Sequence, residues 1–282
     1  MELQSWINHF TRNGTDRPEP NWEAPRHPFT ESQHRALLHS LTQFQLGDGG
    51  GPAYLIGHDR ESYFGKHPQM RTLVDLWFVE EKRHSELLGK AVQRMGGTPI
   101  TKHWSFSIFC GVRRAFGVSF EFYALLLTEI TSNNYYKLLR KYAGDPAIVA
   151  MAELIIRDET GHIAFHRDRI ATDEDGHYSL SFAWAAMLYL LALGAGTMLW
   201  INHRSALTRL GATTRKFYRG FLQETRWFIE TTRERRGESL KARRGIREDQ
   251  PRHRQSQKRR AMPTPESHSA NIGSSAFPCE RR

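Results

Sequence analysis

Apolar residues recur at three- and four-residue intervals through most of the chain, and no stretch alternates with a period of two, so the sequence reads as all-α. Thr30 followed by Gln33 marks a helix start, and Leu37, Leu38, Leu41 and Phe44 form one apolar face behind it. Residues 47–52, Gly-Asp-Gly-Gly-Gly-Pro, oppose its continuation. Each Gly costs about 1 kcal/mol relative to Ala inside a helix, and Pro about 3. A short helical stretch is expected from Pro52 to about Tyr63. Gly65-Lys66-His67-Pro68 predicts a turn, and the helix after it runs to Met95, where Gly96-Gly97 stops it. Helix resumes near Trp104 and continues, kinked at Gly117, to Ala143, and Gly144-Asp145-Pro146 closes it. Three more helices are predicted: Ala147 to about Ile170, Leu180 to Leu210, and Thr213 to about Arg233, with an acidic loop over 172–179. Three regions follow from this pattern. Residues 1–29 are an aperiodic arm with Pro and Trp, 30–232 a helical domain, and 233–282 a tail too poor in apolar residues to build a core, read as disordered.

Charge sharpens the division. The formal net charge of +10 suggests a nucleic-acid partner until it is located. Residues 233–282 hold 14 Lys/Arg against 6 Asp/Glu, which leaves 26 against 24 for the rest of the chain. The body is nearly neutral, and the basic tail lacks interleaved aromatics or a recognition motif, so no specific nucleic-acid partner is expected. Two cysteines, Cys110 and Cys279, provide neither a disulfide framework nor a thiolate metal site. The first residues carry no basic segment followed by an apolar run, and a cytoplasmic location is expected. Residues 182–201 contain no charge and are long enough for a membrane span. Their flanks oppose that reading: acids precede the stretch, and Arg204, Arg209, Arg215 and Lys216 follow it, which would place the helical domain outside. Burial in the bundle or in a homodimer interface is favoured over membrane contact.

The chemistry lies in repeated Glu-x-x-His pairs. With 14 histidines about one such pair is expected by chance, and the chain has four. Glu31/His34 falls in a first helical turn, where Glu favours the dipole, and Glu174/His177 falls in a loop, where the spacing has no facial meaning. Glu81/His84 and Glu159/His162 lie within helices, where residues three apart leave on one face. Glu129 and Glu159 each lie 15 residues from the turn at Gly144, so an antiparallel hairpin sets them side by side. The same measurement about Gly65 carries Glu81 to position 49, beside Asp48. If the two hairpins pack, Asp48, Glu81, His84, Glu129, Glu159 and His162 converge in a four-helix bundle, a pattern suited to two Fe or Mn ions. The alternative is that the acids are solvated surface charges. Glu129, after Ala124-Leu125-Leu126-Leu127, opposes it, because a buried unpaired carboxylate is costly.

Phe44-Gln45-Leu46-Gly47-Asp48, Glu80-Glu81-Lys82-Arg83-His84, Leu127-Thr128-Glu129-Ile130 and the run from Arg157 to His166 together resemble the ferritin-like superfamily of di-iron carboxylate proteins, and within it a group of bacterial ferritin-like domain proteins. The resemblance covers roughly residues 30–170. It implies a ferritin-like four-helix bundle with two additional C-terminal helices, and the same six residues as ligands to two Fe ions, with Mn as the alternative metal. It further implies an oxidoreductase that activates O₂ or peroxide, with a small-molecule substrate or electron donor it does not identify. The chain departs from the family at the first ligand, where Asp48 precedes three glycines in place of a Glu in unbroken helix. That departure keeps open a non-catalytic scaffold or membrane-associated protein with a degenerate site; iron storage is a third reading. Glu121 and His166 stand near the ligand set as candidates for supporting roles or for packing. Phe106, Phe109, Phe116, Phe120, Phe122 and Tyr123 are candidates for an apolar pocket or for the core.

Overall fold

The computed structural model describes residues 1–15, 17–49, 52, 54–172 and 180–260, with 243–260 as backbone only. Among these residues the chain is all helix, without a strand: α1 (Leu3–Thr15), α2 (Glu31–Gly47), α3 (Arg60–Lys66), α4 (Pro68–Arg94), α5 (Trp104–Ala115), α6 (Val118–Tyr142), α7 (Pro146–Ala171), α8 (Phe182–Leu210) and α9 (Thr214–Arg260). The chain forms two compact units, Met1–Gly237 and Glu238–Arg282; the second is helical from 238 to 260. The expected acidic loop lies, over 173–179, outside the described residues, as do residues 261–282 of the tail.

Local chemistry fixes the helix ends. The Thr30 hydroxyl accepts the Gln33 backbone N–H at 3.2 Å, and the Gln33 side chain accepts the Thr30 N–H at 3.0 Å, a reciprocal cap at the start of α2. At the α6–α7 turn Gly144 has φ +72°, open to glycine without strain. Asp145 next to it accepts the N–H groups of Ala147 and Ile148 at 3.1 and 3.2 Å. The same carboxylate receives Arg94 of α4, Nε and Nη2 each at 3.0 Å, with both side chains buried. Although burial raises the Asp145 carboxyl, Arg94 together with the backbone N–H groups of His27 and Ile148 outweighs it and holds the group below its usual range. One residue thus caps α7, closes the hairpin and ties it to α4.

Four sequence expectations change. Residues 3–15 of the arm form α1, with Phe10 buried against α4 and α7. The stretch from Pro52 is helical only from Arg60, because the Ile56 and Gly57 N–H groups donate to Glu121 of α6 at 2.8 and 2.7 Å instead of to a helix ladder. The long helix from Trp104 is broken at Phe116–Gly117, not kinked. There Asp59 accepts the Val118 N–H at 2.7 Å, and a Cβ on Gly117 would lie 2.9 Å from its carboxylate, so a distant residue caps α6. Finally, α9 continues past Arg233 to Arg260, so that part of the tail is helical and not unstructured.

In the first unit α6 packs on α7, α2 on α4 and α4 on α7, while α1 covers α4 and α8 covers α2 and α6. One apolar cluster gathers Leu37, Leu41, Leu88, Tyr135, Ile155 and Trp200, and a second gathers Phe10, Trp77, Phe78, Phe122 and Phe165. Between them α4 and α7 carry polar residues inward. By length and composition α8 could cross a membrane, but one of its faces, with Trp184, Leu188, Ala192 and Trp200, is buried. Replacing Asp145 with Ala should cost about 3–5 kcal/mol, since it strands buried Arg94 and removes a cap. Urea denaturation monitored by circular dichroism measures this.

Candidate metal centre

The layer between the two apolar clusters holds all six residues singled out by spacing. Glu81, Glu129, Glu159 and His162 present ligand-type atoms within 4.8 Å of one another, and Asp48, His84 and Glu159 do the same. Glu159 belongs to both groups. Its Oε2 lies 3.5 Å from His162 Nδ1 and its Oε1 3.8 Å from His84 Nδ1. Glu81 divides likewise, Oε1 at 2.9 Å from His162 Nδ1 and Oε2 at 3.9 Å from His84 Nδ1. Glu129 stands on the His162 side at 3.4 Å, and Asp48 on the His84 side at 3.9 Å. The arrangement has two halves, each with one imidazole and one terminal acid, spanned by two shared carboxylates. This buried Glu/His cluster could hold a metal ion.

Gly49 serves Asp48. Asp48 caps the end of α2, its N–H bonded to the Phe44 carbonyl at 2.8 Å. Gly49 follows with φ +81°, and a Cβ there would stand 1.9 Å from the Glu81 carbonyl oxygen. Only glycine lets the end of α2 lie directly on α4 at this level, which brings the shorter Asp side chain to the cluster.

Both imidazoles point Nδ1 inward and are held from behind by Nε2. His84 Nε2 meets Asp158 Oδ2 at 3.1 Å, and His162 Nε2 meets Glu80 Oε2 at 3.0 Å. The support is crosswise. Asp158 precedes Glu159 on α7 and secures the histidine of α4, while Glu80 precedes Glu81 on α4 and secures that of α7. Carboxylates in this position set the tautomer and orientation of a ligating histidine. Arg17 pairs with both of them, at 2.6 Å to Asp158 and 3.2 Å to Glu80. Neutral donors complete the shell: Trp77 Nε1 to Glu81 at 3.0 Å, Ser132 Oγ to Glu159 at 3.3 Å, and the Tyr136 hydroxyl to Asp48. Spacing alone did not reveal Glu80, Asp158 or Arg17. A signal for the first two was present, since in each helical pair an acid directly precedes the Glu.

Burial and mutual repulsion govern the protons. Burial, then Glu159 and Glu81, push the Asp48 carboxyl well above its usual range, and burial with Glu129 does the same to Glu159. Burial and Glu81 raise Glu129. Burial also opposes charge on Glu81, but His162, His84 and the Trp77 indole together outweigh it and lower that carboxyl. Burial alone would lower His84, yet Asp158, Glu81, Asp48 and Glu159 together raise it to about 9. His162 is raised well above its usual value against burial, chiefly by Glu129 and Glu81.

The other candidates fall elsewhere. Glu121 is fully buried and, besides Ile56 and Gly57, accepts Arg113 Nε at 2.9 Å, so it anchors the 55–57 segment and not the cluster. His166 packs edge-on against Trp77 at 5.1 Å with both ring nitrogens unpartnered, and burial drives it well below its usual value. Glu31 is exposed in the first turn of α2, and Glu174/His177 lie outside the described residues. Phe106 and Phe109 line a cavity of about 50 Å³, room for a few atoms, together with Trp77, Leu125 and the cluster's own Asp48 and Glu129. Phe122 is core, and Phe116 is exposed against Phe120.

Comparison of the chain with protein-family models, curated proteins and solved structures gives no match.

The raised imidazoles set a pH dependence for the metal-free protein. A histidine whose pKa is raised on folding stabilises fully below its unfolded value of 6.5, and that contribution is lost as pH rises through about 9. The raised carboxyls act in the same direction, whereas the lowered ones contribute evenly above acid pH. With chelator present, the melting temperature should fall by roughly 5 °C or more between pH 6.5 and pH 9. Differential scanning calorimetry across that range checks it.

Proposed function

We propose that this protein is a ferritin-like di-metal carboxylate oxidoreductase, with two Fe ions, or Mn, held by Asp48, Glu81, His84, Glu129, Glu159 and His162. One observation supports the reading above the others. His84 Nδ1 and Glu159 Oε2 are buried without a hydrogen-bond partner, and the imidazole nitrogen faces three carboxylates at 3.8–3.9 Å. That separation is too long for hydrogen bonds and suits ligands gathered about a common cation. Hard oxygens with two imidazoles favour Fe or Mn over zinc. The site of Gly49 argues against a degenerate centre, because the glycine that follows the end of α2 is also what delivers Asp48.

Such a metal pair would supply redox chemistry toward O₂ or peroxide. The protein's own residues would orient and shield it. Glu80 and Asp158 fix the imidazoles, Trp77 and Tyr136 hold Glu81 and Asp48, and the Phe106/Phe109 cavity keeps bulk water from the cluster while admitting a small molecule.

Anaerobic titration with Fe(II) should give about two metals per chain, and exposure to O₂ should then change the optical spectrum. Glu159→Ala, which removes a carboxylate common to both halves, should abolish both sites. Asp48→Ala and Glu129→Ala should each weaken one half, leaving about one tightly bound metal. Gly49→Ala should behave like Asp48→Ala, through the collision with the Glu81 carbonyl. A wild-type protein that takes up neither Fe nor Mn would remove the proposal.

A further inference from the structure

Arg17 lies just past α1, outside the four helices that supply the cluster, and its side chain is only 4% exposed. Burying a guanidinium costs several kcal/mol unless its charge is matched. Here it lies between the two carboxylates that hold the outer nitrogens of His84 and His162, Nη1 2.6 Å from Asp158 and Nη2 3.2 Å from Glu80, the second an ion contact without a hydrogen bond. Arg157 also approaches Asp158, at 3.5 Å, but from a side chain that is half exposed. Among the described residues no other basic side chain reaches both Asp158 and Glu80.

The placement of Arg17 is built in. Phe10 of α1 is 1% exposed, with its ring 5.8 Å from that of His162 and 6.0 Å from that of Phe165. Gly161, in the middle of α7, is the reciprocal feature: a Cβ there would stand 2.9 Å from His9 Nε2. A glycine inside a helix costs about 1 kcal/mol, and this one leaves room for α1 beside His162. The chain leaving α1 then turns Arg17 inward between α4 and α7.

We propose that Arg17 is a positioning residue of the metal centre: by bracing Asp158 and Glu80 together it fixes both histidine ligands from a segment that contributes no ligand. This rests on the metal reading of the cluster and extends it. The planar fork of arginine suits the task, since its two terminal nitrogens can address two carboxylates at once, where a lysine offers one compact charge. Arm docking and metal binding then act on the same two imidazoles, so each strengthens the other by the same factor.

Co(II) affinity, measured by competition with a chromophoric chelator, and the Co(II) absorption spectrum test the idea in the full chain. Arg17→Ala should bind Co(II) about 10–100-fold more weakly, the range for losing outer-shell support, with an altered spectrum. Arg17→Lys should fall between, and Arg12→Ala, on the exposed side of α1, should match wild type. Co(II) should also slow proteolytic cleavage within residues 17–29 of the wild type and not of Arg17→Ala. If wild type binds Co(II) while Arg17→Ala keeps its affinity and spectrum, the proposal is wrong, even if the variant's metal-free melting temperature drops. Should Arg17→Ala fail to fold by circular dichroism, Arg17→Lys and Arg17→Gln decide by the same two readouts. A wild type that binds no Co(II) removes the metal reading and this inference with it.

Discussion

Six carboxylates, those of Asp48, Glu80, Glu81, Glu129, Asp158 and Glu159, surround two imidazoles in a layer with almost no solvent exposure. Each would cost several kcal/mol to bury unpaired. The fold reduces that cost in distinct ways at different depths. Arg17 places one positive charge between the outer pair, Glu80 and Asp158. Neutral donors from Trp77, Ser132 and Tyr136 reach the inner set. Five polar atoms of the layer keep no hydrogen-bond partner: Arg17 Nη2, Glu80 Oε1 and Asp158 Oδ1 on its outer side, and His84 Nδ1 and Glu159 Oε2 facing inward. The carboxyls that gain least from these partners, Asp48 and Glu159, lie toward the point where the two halves of the cluster meet, and burial there pushes both well above their usual range.

The apolar structure follows from where this charge sits. Along α4 the inward residues change from Trp77 and Phe78 to Glu81 and His84 and then to Leu87 and Leu88; along α7 they run from Ile155 through Glu159 and His162 to Phe165. The polar layer is enclosed by hydrophobic layers above and below, which exclude water and raise the strength of every electrostatic contact inside. The Asp145–Arg94 pair fixes the height of the α6–α7 hairpin against α4, so that these layers align.

Much of this was legible in the sequence because helical rise is regular. Counting equal distances from Gly144 placed Glu129 beside Glu159, and the count holds because a single glycine with φ +72° makes the turn tight. Counting from Gly65 brought Asp48 to within one position of the level of Glu81, although a short helix and an irregular segment fill the connection. What counting could not reach was set by tertiary contact. The break before α6 depends on Asp59 capping from 59 residues away, and the irregular path of 55–57 on Glu121. In α1, Leu3, Trp6, Ile7 and Phe10 do have helical spacing, but four prolines between 18 and 28 dominate the arm. Arg17, one of three arginines in the arm with Arg12 and Arg26, carries no local signal that sets it apart.

The crosswise exchange between α4 and α7 has a consequence for how the chain acquires its centre. Each helix carries the acid that steadies the other's histidine, so neither hairpin alone contains a finished half. A chain in which α2–α4 has formed but α6–α7 has not docked offers only a loose, partly solvated pair of acids and one free-swinging imidazole. If the cluster holds a metal, the complete ligand set would form in one step, with the last tertiary contact, and be lost in one step when the hairpins separate. Incomplete or damaged chains would then be poor chelators, and retention of a metal would report that the whole bundle is intact.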